Sequence, residues 1–388
     1  MSRGATAWRV LFLLAAAGCG DPGRDPGASP DGAPLAAGTC QPCHAAIVAS
    51  WSGTAHARTS AEADSLTILG DFSEGQNRLQ TRAPNIFFRM DRRDSGFYQT
   101  AIDSVARLSR TERFDLVVGS GKIGQTYLYW RDGILYELPV SWLSGASRWI
   151  NSPGYVDGMV EFDRVVVPRC LECHATWFTI DTSQGARKAR YGSRYQLGVS
   201  CSKCHGDGRE HVAWHTDHPG DTVAHAVINP GRLPRERQLD NCGLCHGGPR
   251  NPKRPAGTYQ VGEPLDDWFH PATDRDAPRP DVHGNQVELM RRTPCFRASP
   301  SMTCASCHDP HVAERDLTVL AGRCLSCHEA ASHPDAARLG SRLQAECIDC
   351  HMPEVPTGAL WVNTPTGRWS PNYRSHAIGI YPRAESRE

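Results

Sequence analysis

Beyond its first nineteen residues the sequence has no apolar run near the ~20 residues that cross a bilayer, so nothing in the body predicts a membrane span. It has no net charge: 42 Lys and Arg balance 42 Asp and Glu, and no basic stripe is present. A nucleic-acid surface built on phosphate neutralisation is therefore excluded. Methionine is scarce, at six residues including the initiator. Long helical periodicity is missing from the C-terminal half, where Gly and Pro are frequent, so that half cannot bury a large aliphatic core of its own. Cysteine is nearly absent outside one repeated pattern: of 16, only Cys19 and Cys295 fall elsewhere. No disulfide framework is expected, and Cys295 reads as a small buried thiol.

What is present is Cys-x-x-Cys-His, seven times over. The copies are Cys40, Cys43 and His44; Cys170, Cys173 and His174; Cys201, Cys204 and His205; Cys242, Cys245 and His246; Cys304, Cys307 and His308; Cys324, Cys327 and His328; and Cys347, Cys350 and His351. This is the attachment signature of c-type haem. Two thiols three residues apart on a helical turn reach the two vinyl groups of one porphyrin, and the next His becomes the proximal iron ligand. Paired Cys-x-x-Cys also builds zinc ribbons, but zinc imposes no His directly after the second Cys, and here all seven have one. The cofactor expected is seven covalently bound haems c with their iron.

What occupies the sixth position of each iron separates a carrier from a catalyst. Ten further His exist: His56, His211, His215, His218, His225, His270, His283, His311, His333 and His376. With so few Met, bis-histidine ligation is the economical reading. His56, His211, His225, His283, His311, His333 and His376 are the seven preferred distal ligands. His311 and His333 follow His308 and His328 too closely to reach round their own haems, so each should serve a neighbouring haem. The cluster 211/215/218 leaves that assignment open.

The N-terminus reads as an export signal: Arg3 and Arg9, an apolar stretch Val10–Ala17, then Ala16-Ala17-Gly18-Cys19. Cys19 sits where bacterial lipoproteins are lipidated, and an ordinary secretory signal is the alternative. Removing residues 1–19 leaves two more acids than bases. Residues 20–38 form a flexible Pro/Gly/Asp/Ala linker, and 39–63 hold the first haem segment, with a helix over Ala45–Ala57. Residues 64–167 form a β-rich insert with a modest core: Asn85–Met90 and Gly96–Ile102 flank a polar segment, and Phe114–Val118, Thr126–Trp130 and Ile134–Leu138 alternate with period two. Gly119, Gly121 and Lys122 resemble a phosphate loop only superficially, and a strand connection is the better reading. Residues 168–376 form the six-haem domain, whose stretch from Cys170 to His351 should be largely unfolded without haem, and 377–388 a tail. The fold class expected is α+β with much irregular structure, a haem-organised short-helix domain carrying a β-rich insert.

The opening Cys40-x-x-Cys-His44 with Trp51-Ser-Gly-Thr-Ala-His56, and the strings at 170–176, 201–206, 302–311 and 347–353, resemble multihaem cytochromes of the cytochrome c-554, hydroxylamine oxidoreductase and ammonia-forming nitrite reductase superfamily. That resemblance implies a periplasmic or outer-membrane electron carrier with closely paired haems. It departs from the nitrite reductases in having no Cys-x-x-Cys-Lys, and no cross-linking Tyr of hydroxylamine oxidation is recognisable. The function expected is electron transfer between an extracytoplasmic donor and acceptor, with no catalytic residue and with oligomerisation open. The alternatives are a reductase or oxidase of nitrogen or sulfur oxyanions with one open haem, and a structural subunit of an extracellular haem chain.

Overall fold

The computed structural model describes residues 32–271, 284–356, 362–364 and 367–381. Cys19 with its signal, residues 20–31 of the linker, His283 and residues 382–388 lie outside the described residues. Among the described residues there are eleven short α-helices and sixteen strands, so the fold is mixed α and β. No helix among them is long and apolar enough to cross a membrane.

Ten strands fill residues 60–151: β1 Ser60–Glu62, β2 Arg78–Gln80, β3 Ile86–Arg93, β4 Gly96–Asp103, β5 Leu108–Arg113, β6 Leu116–Val118, β7 Gly124–Arg131, β8 Ile134–Glu137, β9 Val140–Leu143 and β10 Arg148–Asn151. They form two antiparallel sheets, β2-β3-β4-β5 and β1-β6-β7-β9-β10, the second with β8 paired to β7. The alternation in the sequence sets the strands, and glycine-containing turns set their joints. Asp132 and Gly133, both at positive φ, close β7 onto β8 with Arg131 opposite Ile134. Gly119, at φ +105°, joins β6 to β7, where a Cβ would meet the Gly124 carbonyl at 2.6 Å. That segment is a strand connection, as its glycines suggest.

Strand β7 is buried on both faces. Tyr127 and Tyr129 point into a cluster with Phe88, Met90, Phe97, Phe114, Trp142 and Trp149 between the two sheets. Leu128 points the other way, into a second cluster with Leu171, Ala175, Phe178 and Tyr191. The buried amide of Gln99 bridges the sheets, accepting from Val140 N (3.0 Å) and donating to Val140 O (3.1 Å), so neither polar group is stranded. Among the described residues the cluster between the sheets is the largest. The second cluster carries the helix α2, Pro168–His174, and the antiparallel hairpin β11 Ala175–Asp181 with β12 Arg190–Leu197. The boundary expected at 167/168 therefore falls inside a packed apolar cluster, and the second haem motif is mounted on the back of the sheet.

Glu137, on β8, is buried beside Arg164 (3.3 Å), and burial outweighs that ion pair, holding its carboxyl up at about 7. A carboxyl whose folded value is raised costs stability as pH rises from about 4.3 to about 7, because the unfolded chain has by then released its proton. Glu137→Gln is therefore expected to stabilise the fold at pH 8 by about 2 kcal/mol and to change little near pH 4, as read by denaturant midpoints at the two pH values.

The C-terminal half is built differently. Two small clusters, Leu239/Val287/Met290/Phe296 and Leu244/Leu265/Trp268/Phe269, are its apolar cores. Beyond Phe296, the buried hydrophobic residues among those described are Ala321 and Ile348.

Candidate haem sites

The motifs sit on short helical turns closed by the backbone itself. His44, His205, His308 and His328 each donate their backbone N–H to the carbonyl of the first Cys of their motif, at 2.9 to 3.0 Å. That turn places both thiols on one side and starts the His side chain from a fixed point. The helix carrying the first motif runs Gln41–Ser52, earlier than expected, and bends at His44.

Each of five motif histidines faces a second imidazole. The ring centroids are 6.2 Å apart for His44 and His211, 6.0 Å for His205 and His311, 6.1 Å for His246 and His56, 5.9 Å for His308 and His376, and 6.2 Å for His351 and His333. An iron held between two imidazoles puts each centroid about 3.1 Å from the metal, given metal–nitrogen bonds of about 2.0 Å, hence about 6.2 Å in all. The side chains present fit haem iron. Among the described residues no three His, Cys, Asp or Glu side chains converge as a metal cluster, whereas a closed zinc site needs four ligands.

The other ring nitrogen is held as an axial ligand needs it held. Nδ1 donates to Ile228 O in His205 (2.8 Å), to His225 O in His211 (3.0 Å), to Gly379 O in His351 (2.7 Å) and to Gln286 Oε1 in His376 (2.8 Å). In each the Nε2 lone pair is left for metal. His333 differs: its Nδ1 accepts from the Asp335 N–H (3.0 Å). Burial also keeps imidazoles neutral, pushing His246 and His376 down to about 4 and lowering His56, His205 and His308.

Residues 51–60 are stitched to 174–200, which fixes His56. Trp51 Nε1 donates to Val199 O (3.2 Å), Val199 N to His56 O (2.8 Å), and Ser60 Oγ to His174 O (2.5 Å). Thr59 Oγ1 lies 3.0 Å from His174 Nδ1. Gly198, at φ +67°, is where the segments cross, and a Cβ there would lie 2.4 Å from Ala57 O. Gly198→Ala is expected to destabilise the protein by about 2 kcal/mol or more and to weaken ligation by His56, read by thermal melts and the low-spin haem spectrum.

Of the remaining preferred histidines, the structure does not bring His225 to a motif histidine. Its ring packs on Trp214 (4.4 Å), its Nε2 is 3.0 Å from Asp221, and only its carbonyl serves an axial site, through His211. Sequence spacing could not reveal that the useful atom of residue 225 is on the backbone. His215 lies 4.6 Å from His211, and His218 stacks on Trp214 at 4.1 Å. His328 is exposed, and Cys295 is half-buried with Sγ 3.3 Å from Thr293 Oγ1. Residues missed by sequence reasoning are the Nδ1 acceptors, above all Gln286, which carries no local signal.

Thiols of different motifs lie close together. Cys40 lies beside Cys201, Cys242 beside Cys304, and Cys245 beside Cys173. Cys204 neighbours Cys242, Cys327 neighbours Cys307, and Cys324 neighbours both Cys307 and Cys347. The packing agrees: α2 contacts the helix Arg235–His246, which contacts the turn Cys304–Ser306, and the helix Leu317–Cys324 contacts the helix Cys347–His351. The motifs beginning at 40, 201, 242, 304, 324 and 347 thus follow one another as neighbours, and the motif at 170 joins them at 242.

The sequence profile of the family "Cytochrome c554 and c-prime" matches residues 154–206, which hold the second and third motifs. No curated protein matches the chain. Among solved structures, "Outer Cell Wall Cytochrome OcwA" is similar in fold, with a TM-score of 0.51 and 16% identity over 84% of this chain and 78% of that one. The seven motifs, the family match over residues 154–206 and the shared fold support a multihaem c-type cytochrome with covalently attached haem c.

Proposed function

We propose that the protein transfers electrons between extracytoplasmic redox partners through seven haems, most of them held by two histidines. The observation that carries this reading is the set of five imidazole pairs 5.9 to 6.2 Å apart. The bound haems supply a one-electron couple. The protein's own part would be to set two imidazoles across each of five haem sites, leaving no room there for a reactant, and to keep the attachment sites close to one another. Export and anchoring through Cys19 belong to the same reading, since haem attachment takes place outside the cytoplasm.

Electron paramagnetic resonance of the oxidised holo-protein, with and without nitrite, tests it. Low-spin ferric signals unmoved by nitrite are expected, with a mass corresponding to seven thioether-linked haems. One observation favours a second reading, an oxyanion reductase or oxidase with one open haem: His225 stands away from every motif histidine whose ring pair is described. A high-spin ferric signal that nitrite perturbs would decide for the enzyme.

A further inference from the structure

Two of the paired histidines, His311 and His376, each place both of their own N–H groups, backbone and ring, on a single side-chain oxygen. For His311 that oxygen is Asp309 Oδ1, 2.9 Å from the backbone nitrogen and 3.1 Å from Nδ1. For His376 it is Gln286 Oε1, at 3.1 Å and 2.8 Å. The two clamps share a geometry and differ in charge. Asp309 offers a carboxylate from two residues upstream; Gln286 offers a neutral amide from a helix ninety residues away.

We propose that Asp309 and Gln286 are positioning residues for the axial imidazoles of His311 and His376, and that their difference in charge holds the haem at 201–205 at a lower potential than the haem at 304–308. The proposal rests on the bis-histidine reading above.

Each clamp fixes the ring about its Cβ–Cγ bond, turning Nε2 toward His205 or His308. A ligand imidazole whose Nδ1–H is shared with a carboxylate becomes a stronger donor and favours ferric over ferrous iron, whereas an amide oxygen polarises it less. Asp309 is 53% exposed, so water screens part of its charge, yet the hydrogen bond through which it acts is direct.

The amide of Gln286 is not free to turn over. Its nitrogen donates to Arg374 O (3.4 Å), which leaves the oxygen for His376, whose backbone N–H can only donate. The short helix Gln286–Arg291 that carries it is anchored by buried Val287, Leu289 and Met290, and by Glu288 beside the buried Arg250 (3.3 Å).

Two residues of chain, Asp309 and Pro310, join the two centres. His308 belongs to one, His311 to the other, and Pro310 between them lies beside the ring of His56, the partner of His246. The potential difference set by the clamps therefore acts across a short, rigid link, and it favours electron movement from the 201–205 centre toward the 304–308 centre.

The test compares wild-type holo-protein with Asp309→Asn and Gln286→Glu, both close in shape to the residue replaced, by optical redox titration and low-temperature paramagnetic resonance. Asp309→Asn is expected to raise the midpoint of one haem. Gln286→Glu is expected to lower the midpoint of a different haem. Both should keep the wild-type number of low-spin signals, with shifted g-values for the affected haem alone. Unchanged midpoints with low-spin signals intact, or both variants moving the same haem, would overturn the proposal. High-spin iron at these centres in the wild type would instead overturn the bis-histidine reading beneath it.

Discussion

Haem-free chain, made without its export signal so that no attachment occurs, is expected to keep the β-structure of residues 60–197 and to lose order beyond about residue 200. The first part has its own core: two clusters of aromatic and aliphatic side chains fill both faces of β7. Burial worth roughly 25 cal/mol per Å² there offsets a backbone ordering cost of about 1–2 kcal/mol per residue. The second part has only two small clusters, and none beyond Phe296. Between residues 300 and 356 only Ala321 and Ile348 are buried hydrophobics, so porphyrin faces must supply the apolar contact. Hydrogen exchange read by mass spectrometry should show protected amides in β3, β4 and β7 and rapid exchange across 300–351. Protection of 300–351 in the haem-free chain, lost in one cooperative melt, would contradict this account. The expectation from sequence placed the onset of disorder at Cys170; Leu171, Phe178 and Tyr191 pack on the sheet, so the structure predicts a later onset.

Replacing both Cys242 and Cys245 by serine is expected to remove one haem and to slow electron passage between the two ends of the array by orders of magnitude. This motif is the junction of that series of neighbours. Cys242 lies beside Cys304 and neighbours Cys204, and Cys245 lies beside Cys173. The same double change at Cys347 and Cys350 removes a haem from the end of the series, where Cys347 neighbours Cys324. It should leave exchange among the other centres nearly intact. Stopped-flow reduction followed in the haem absorption bands distinguishes the two: a large slow phase for the junction variant, and a smaller total amplitude without one for the terminal variant. Equal kinetics in both would remove motif 242–246 from the central position given to it here.

The strands of the insert were legible because their information is local. Period-two alternation marks 114–118, 126–130 and 134–138, and the Asp132-Gly133 pair marks the turn, so β6, β7 and β8 fall where the pattern puts them. The order in which those strands pair was not legible. Ser60–Glu62 closes the edge of the sheet against β6 from the far side of the chain, through contacts that leave no periodic trace. The histidines divide in the same way. His56, His211, His311, His333 and His376 stood out as candidates by type and number. The pairing of His56 with His246, or of His376 with His308, joins residues far apart in the chain. His225 was chosen on type alone, and the fold uses its carbonyl instead.

The sequence by itself pointed to where haem would be attached, because two thiols and an imidazole within five residues are a complete local instruction. It also led to the expectation that the stretch from Cys170 to His351 depends on its cofactors, because few apolar side chains are present there. Only the tertiary structure decided which imidazole faces which, in what order the attachment sites adjoin, and which oxygen receives each Nδ1 proton. Those are distances between residues remote in the chain, set by the packing of α2 and residues 51–60 against one sheet and of Gln286 against the C-terminal strand. No local pattern of residues encodes them.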